Sequence, residues 1–84
     1  MQLDIITPDE IIFSGNVSSV TVPGTKGRFT ILNNHAPIIS SLSAGVISYR
    51  VGDEEFHVES AGGFVELKKN QIAIAIEVSG EQNR

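Results

Sequence analysis

The chain has no cysteine, only three prolines, and few aromatic residues: four phenylalanines and one tyrosine among 84 residues. Without cysteine there is no disulfide framework and no thiolate chemistry. The apolar core must then do nearly all the stabilising, unless a partner shares it. This usage fits a reducing compartment. Cations are also scarce. Six Lys and Arg stand against ten Asp and Glu, for a net charge of −4 and a pI near 4.9. They are scattered, so the basic footprint of a nucleic-acid binder is missing. No run approaches the roughly 18–20 apolar residues of a membrane-spanning helix. Met1-Gln2-Leu3-Asp4 has neither the basic n-region nor the apolar h-region of a secretory signal. Any membrane association is expected to come through another protein.

What is present suits one small domain. Hydrophobic residues make up 40% of the chain and mean hydropathy is +0.08, as in a compact globule rather than a disordered segment. A chain this short buries only about 60–65% of its unfolded surface. Period-two alternation dominates. In Gln71-Ile72-Ala73-Ile74-Ala75-Ile76-Glu77-Val78 the large residues fall on even positions and the small or polar ones on odd positions. Val20 and Val22 alternate with Ser19 and Thr21. Ile47, Tyr49 and Val51 alternate with Ser48 and Arg50, and Phe56 and Val58 with His57 and Glu59.

Turn residues cut these runs at short intervals. Thr7-Pro8-Asp9 closes the first strand and Ser14-Gly15-Asn16 is expected to break the second. Pro23-Gly24 and Lys26-Gly27 bracket a hairpin, Val51-Gly52-Asp53-Glu54 makes another, and Lys68-Lys69-Asn70 separates the last two strands. Gly62-Gly63 marks a reversal or a close backbone approach. Pro8 to Phe13 could open a helix, but Ile11-Ile12-Phe13 with Gly15 close behind reads as strand. The fold class is therefore all-β: a flattened sandwich or barrel of roughly ten short, mostly antiparallel strands. Residues 1–78 form its single domain and 79–84 a polar tail that frays.

Catalytic chemistry is hard to find. A general base needs an orienting acid and a reacting group within about 3 Å, and His35 has only Asn33, Asn34, Ala36 and Pro37 around it in sequence. His57 faces outward on its strand. None of the serines sits in a Gly-x-Ser-x-Gly elbow. Gly24-Thr25-Lys26-Gly27 lacks the rest of a phosphate loop, and the three acids from Asp53 to Glu55 point in alternating directions rather than converging on a metal. The apolar doublets are more informative. Consecutive isoleucines on a strand face opposite ways, so Ile5-Ile6, Ile11-Ile12 and Ile38-Ile39 each need cover on both sides. Either the sandwich covers them internally or a partner does. The stretch from Val22 to Pro37 reads as a hairpin and a shaped loop made for contact.

Four fragments then occur in order. They are Phe13-Ser14-Gly15-x-Val17; Val20-x-Val22-Pro23-Gly24-x-x-Gly27; Ile31-Leu32-x-x-His35-Ala36-Pro37-Ile38-Ile39; and Gly62-Gly63-Phe64-Val65-Glu66-Leu67. In order and spacing, about residues 2–78 resemble the N-terminal β-sandwich domain of the epsilon subunit of F-type ATP synthase, the bacterial counterpart of mitochondrial delta. The resemblance implies a non-catalytic, cofactor-free subunit of the central stalk that binds the gamma subunit and the c-ring and couples ion flow to ATP synthesis. It would be held peripherally on the cytoplasmic face of the bacterial plasma membrane. Carried over by position, it implies c-ring contacts at Lys26, Arg28, Phe29, Asn34 and His35, and gamma contacts at Thr7, Ile38, Ile39 and Ser40. Arg28 departs from the acidic residue that relatives can carry, so it would prefer acidic or carbonyl partners. Relatives commonly continue into two helices that can inhibit hydrolysis and in some bacteria bind ATP. Their absence implies the short form, without a familiar ATP site. From the residues alone, a free-standing β-sandwich that binds a protein or ligand stays open, and a minimal hydrolase built on His35 stands further back.

Overall fold

The computed structural model describes residues 1–78 and, within them, nine strands and no helix. The strands are β1 (Gln2–Ile6), β2 (Ile11–Asn16), β3 (Ser19–Gly24), β4 (Gly27–Leu32), β5 (Ile38–Leu42), β6 (Gly45–Val51), β7 (Glu54–Ser60), β8 (Gly63–Lys68) and β9 (Gln71–Ile76). The expected polar tail lies outside the described residues.

All nine belong to one hydrogen-bonded sheet, in the order β2-β1-β9-β8-β5-β3-β6-β7, with β4 paired to β3. The sheet folds over between β5 and β3, where a single pair, Gly24↔Leu42, joins them. This makes two layers, β2-β1-β9-β8-β5 and β4-β3-β6-β7. Pairing is antiparallel except for β1 with β9, which run parallel.

The alternation seen in the sequence becomes the core. β9 buries Ile72, Ile74 and Ile76 while Ala73 and Ala75 face out. The register sets Leu3 beside Ile72 and Ile5 beside Ile74, so β1 joins the same inner face. Val65 and Leu67 follow from β8. Val20, Val22, Ile31, Ile47 and Tyr49 come from the other layer, and all form one cluster. Phe13 of β2 meets Tyr49 of β6 at 4.4 Å between ring centroids, which ties the two layers together at the edge. Two residues on the inner side lie past the edge of the core. Val51 and Phe56 sit near the tip of the β6–β7 hairpin and stay exposed, Phe56 stacking on Tyr49 from outside the core.

Three local features depart from simple alternation. Gly15 does not break β2, which runs through to Asn16; the register instead slips between Ile5↔Phe13 and Ile6↔Ile11. The bulge leaves Ile12 as the extra residue, and both isoleucines face solvent. Lys69 and Asn70 both have positive φ (53° and 64°), the backbone of a two-residue hairpin that matches strand twist. Gly63 has a φ of 153°, and a Cβ there would overlap the Ala75 carbonyl, so the close approach expected at Gly62-Gly63 is real.

Candidate partner-binding surfaces

Register determines what the outer face of the larger layer displays. Ser41↔Phe64, Phe64↔Ala75, Ala75↔Ile6 and Ile6↔Ile11 are consecutive pairings, so these five residues form one rung across β5, β8, β9, β1 and β2. Four of the five are apolar, and Phe64 and Ile11 are exposed to 62% and 68%. The next rung reads Ile39, Glu66, Ala73, Asp4 and Ser14. Ile39, at 75%, is more exposed than Phe64 or Ile11. A depression of about 310 Å³ lined by Ile6, Thr7, Pro8, Phe64, Ala75 and Ile76 opens on the apolar rung. A contiguous exposed apolar surface of this kind, beside a row that carries Glu66, Asp4 and Ser14, marks an interaction site.

A second surface lies between the β3–β4 hairpin and β5, where a cleft of about 440 Å³ is lined by Lys26, Arg28, Phe29, Ile39, Ser40 and Ser41 among others. Thr25 N–H donates to Ser41 O at 3.1 Å and the two hydroxyls meet at 2.9 Å, which fixes the hairpin tip to β5. The Phe29 ring packs on Gly24, where any side chain would collide with it.

The His35 loop is held by its neighbours. His35 N–H donates to Leu32 O at 3.2 Å, and its Nδ1 meets Ala36 O at 2.7 Å. Asn34, with φ 67°, donates its N–H to Asn70 Oδ1 at 3.2 Å, and Asn70 Nδ2 donates to Asn33 Oδ1 at 2.9 Å. One ring nitrogen of His35 is thus engaged locally, and the groups around it are amides and carbonyls. Among the described residues, no three His, Cys, Asp or Glu side chains are grouped to hold a metal. His57 is exposed as expected and sits 3.0 Å from Glu55, which also pairs with Arg50 at 3.0 Å.

The structure divides the residues expected at the ring. Lys26, Arg28 and Phe29 lie at the hairpin end of β4, Asn34 and His35 beyond its other end. Arg28 and Phe29 are the second and third residues of β4, which rises about 17 Å from Gly27 to Leu32, with Asn34 and His35 past its far end. The residues expected to meet gamma divide as well. Thr7 is 8% exposed, and its hydroxyl accepts from the N–H groups of Asp9 and Glu10 at 3.3 and 3.2 Å, so it builds the turn. Ile38 pairs with Leu67 and packs against the core, and Ser40 pairs with Val65 on the same inner face. Ile39 alone of the four points fully outward. Phe64, Ile6 and Ile11 are the surface residues that reading by position passed over. The isoleucine doublets flagged two of them, but only strand pairing brings Phe64 alongside.

Comparison with known proteins matches residues 1–79 to the family model described as the ATP synthase, Delta/Epsilon chain, beta-sandwich domain. The chain belongs to this family. An ATP synthase epsilon chain from Leptospira borgpetersenii is 39% identical over 74 residues, covering 88% of this chain and 58% of the relative. One from Magnetococcus marinus is 36% identical over 77 residues, covering 92% and 56%. This delta/epsilon chain therefore spans somewhat over half the length of the relatives it matches. Among solved structures, it superimposes on a chain of the Euglena gracilis mitochondrial ATP synthase OSCP/F1/c-ring assembly with a TM-score of 0.83 at 21% identity, covering 88% of this chain and 48% of that one. A chain of the Tetrahymena thermophila central stalk and c-ring gives 0.78 at 18%, covering 90% and 62%. At these identities the likeness carries the fold: the family's β-sandwich.

Proposed function

We propose that this delta/epsilon chain is a non-catalytic rotor subunit of an ATP synthase, bridging the gamma subunit and the c-ring so that ion flow and ATP synthesis stay coupled. The observation that carries this reading is the apolar rung Phe64, Ala75, Ile6 and Ile11 with Ile39 beside it, an exposed surface that water does not favour and a partner would cover. Membership of the family, and the F1/c-ring and central-stalk assemblies in which its structural neighbours occur, support this reading, which takes gamma as that partner. The reading puts gamma on the outer face of the larger layer, around Ile39 and Phe64. Asn34 and His35 extend that contact along the line of β5, since they lie far from the hairpin. The ring then meets the hairpin end, at Lys26, Arg28 and Phe29. The site of action is the cytoplasmic face of a bacterial plasma membrane, reached through these protein contacts.

The test is association with the gamma subunit of the same organism, with Ile39→Asp and Phe64→Asp introduced separately. Both positions are exposed, so neither change should greatly alter the melting temperature. Each is expected to weaken association by about tenfold or more, the usual scale for a central apolar anchor. Unchanged association by both variants at matched stability would remove this face from the proposal.

A further inference from the structure

The cleft between the β3–β4 hairpin and β5 concentrates positive charge in a chain that is otherwise negative. Two of the six Lys and Arg line it, Lys26 and Arg28, and no acidic side chain does. Among the described residues the ion pairs are Arg50–Glu55 and His57–Glu55, neither of which reaches this cleft. Arg28 is already oriented. Its Nη1 donates to the Val46 carbonyl at 2.9 Å, which leaves the remaining guanidinium N–H groups to donate elsewhere. Thr25 and Ser41 share one hydroxyl proton in their 2.9 Å contact, and the other proton is left to donate outward. Nothing lies within 4 Å of the direction a Gly27 side chain would take, so the backbone at the hairpin tip is open to an approaching group. The wall is not wholly polar, because Phe29 and Ile39 contribute to it.

We propose that this cleft is a carboxylate receptor: an Asp or Glu on a c-ring loop seats between Lys26 and Arg28, with its methylenes against Phe29 and Ile39. This rests on the reading that the hairpin end faces the ring. Donors of this kind would equally suit a phospholipid phosphate, but two observations favour the protein carboxylate. Membrane-surface binding by charge takes clusters of about four to eight cations worth roughly 1 kcal/mol each, whereas this cleft has two on a chain of net charge −4. Ile39, at the cleft's rim, also belongs to the outer face proposed for gamma, so the cleft continues a protein interface.

The experiment uses gamma bound to the detergent-purified c-ring of the same organism, and titrates this chain onto it at several salt concentrations. Lys26→Glu is the main variant, because the Lys26 side chain makes no hydrogen bond or ion pair to the described part of its own chain. It is expected to weaken binding by about tenfold at low salt and to flatten the salt dependence. A Lys in place of the ring carboxylate should restore Lys26→Glu binding, the coupling expected of a direct pair. Arg28→Lys keeps the charge but loses the planar fork, and a weakening of roughly threefold is expected. Equal binding by wild type and Lys26→Glu overturns the receptor and leaves the stalk reading standing. A parallel titration uses ring-free vesicles containing phosphatidylglycerol; a Lys26→Glu loss seen there and not on the gamma–ring complex also overturns the receptor, and makes the ligand a lipid headgroup. Failure of the wild-type chain to bind the gamma–ring complex at all overturns the stalk reading, and the receptor with it.

Discussion

Arg28 Nη1 donates to the Val46 carbonyl at 2.9 Å, from β4 across β3 to β6. The β3–β6 ladder ends at Thr21↔Ser48, and carried two residues further it would set Pro23 against Val46. Proline has no N–H to give. The guanidinium reaches over Pro23 and supplies the donor its backbone lacks, so this cation has a structural role in addition to any partner it meets. Arg28→Met keeps the stem and removes the donor. The bond is exposed and water can replace part of it, so a loss of about 0.5–1 kcal/mol is expected. Urea denaturation would show it as a lower midpoint with an unchanged slope. An unaltered midpoint would mean that the Arg28–Val46 bond contributes nothing to stability.

Gly63 and Gly52 separate two reasons for a glycine. At Gly63 a Cβ would run into the backbone of Ala75 and Ile76, which cannot move without parting β8 from β9. Gly52 has a φ of 61° at the β6–β7 tip, and nothing lies within 4 Å of its Cβ direction. Gly63→Ala is expected to cost at least about 3 kcal/mol, a large part of what a domain this size can hold. Gly52→Ala should cost only the left-handed penalty of about 1–2 kcal/mol, and Gly52→Asn less. Melting temperatures of the three variants would show the order, and a Gly63→Ala variant melting with the wild type would contradict the close approach.

The strands and most turns were legible because their signals are local. Alternation in β9, the paired glycines of the β3–β4 hairpin and the Lys69-Asn70 turn lie within a few residues of what they specify. The bulge at Ile12 was not legible, because it is defined by the partner strand; Gly15 took the blame for a break that does not exist. The same limit applied to the surfaces. A doublet such as Ile38-Ile39 says that the two residues face opposite ways, but only pairing with β8 decides which faces in. Phe64 joins Ile6 through Ala75; the β8–β9 hairpin supplies the first step, but the second is the parallel β1–β9 ladder, which links residues far apart in the chain. The separation of His35 from Lys26 follows from the length of β4, which lies between the hairpin and the His35 loop.

Ile74 and Ile39 are the same side chain in opposite environments. Ile74 is fully buried between Ile5 and Val65, and Ile39 is 75% exposed. Ile74→Ala removes packed methyl groups and leaves a cavity, for an expected loss of about 2–5 kcal/mol. Ile39→Ala should stay within about 0.5 kcal/mol in the isolated chain while weakening association with gamma. Denaturation of the free proteins checks the first difference. If Ile39→Ala destabilised the isolated chain as much as Ile74→Ala, Ile39 would belong to the core and not to an interface.

Tyr49 provides a probe of the sandwich edge, since it is the chain's one tyrosine. It is 7% exposed, with the Phe13 ring centroid at 4.4 Å and that of Phe56 at 5.5 Å. Burial raises its pKa above the ordinary value by disfavouring the charged phenolate. The folded state therefore holds this proton more tightly than the unfolded chain, whose tyrosine titrates near pH 10. The resulting contribution to stability is fully present below about pH 10 and is lost as the pH rises through the folded pKa. Ultraviolet absorbance of the tyrosinate should rise at higher pH in the native protein than in urea. Tyr49→Phe should keep its stability at neutral pH and lose the part of the alkaline fall that belongs to this group. Superimposed native and urea titrations would mean that the phenol reaches water, and that the Phe13–Tyr49 contact does not close the edge between the layers.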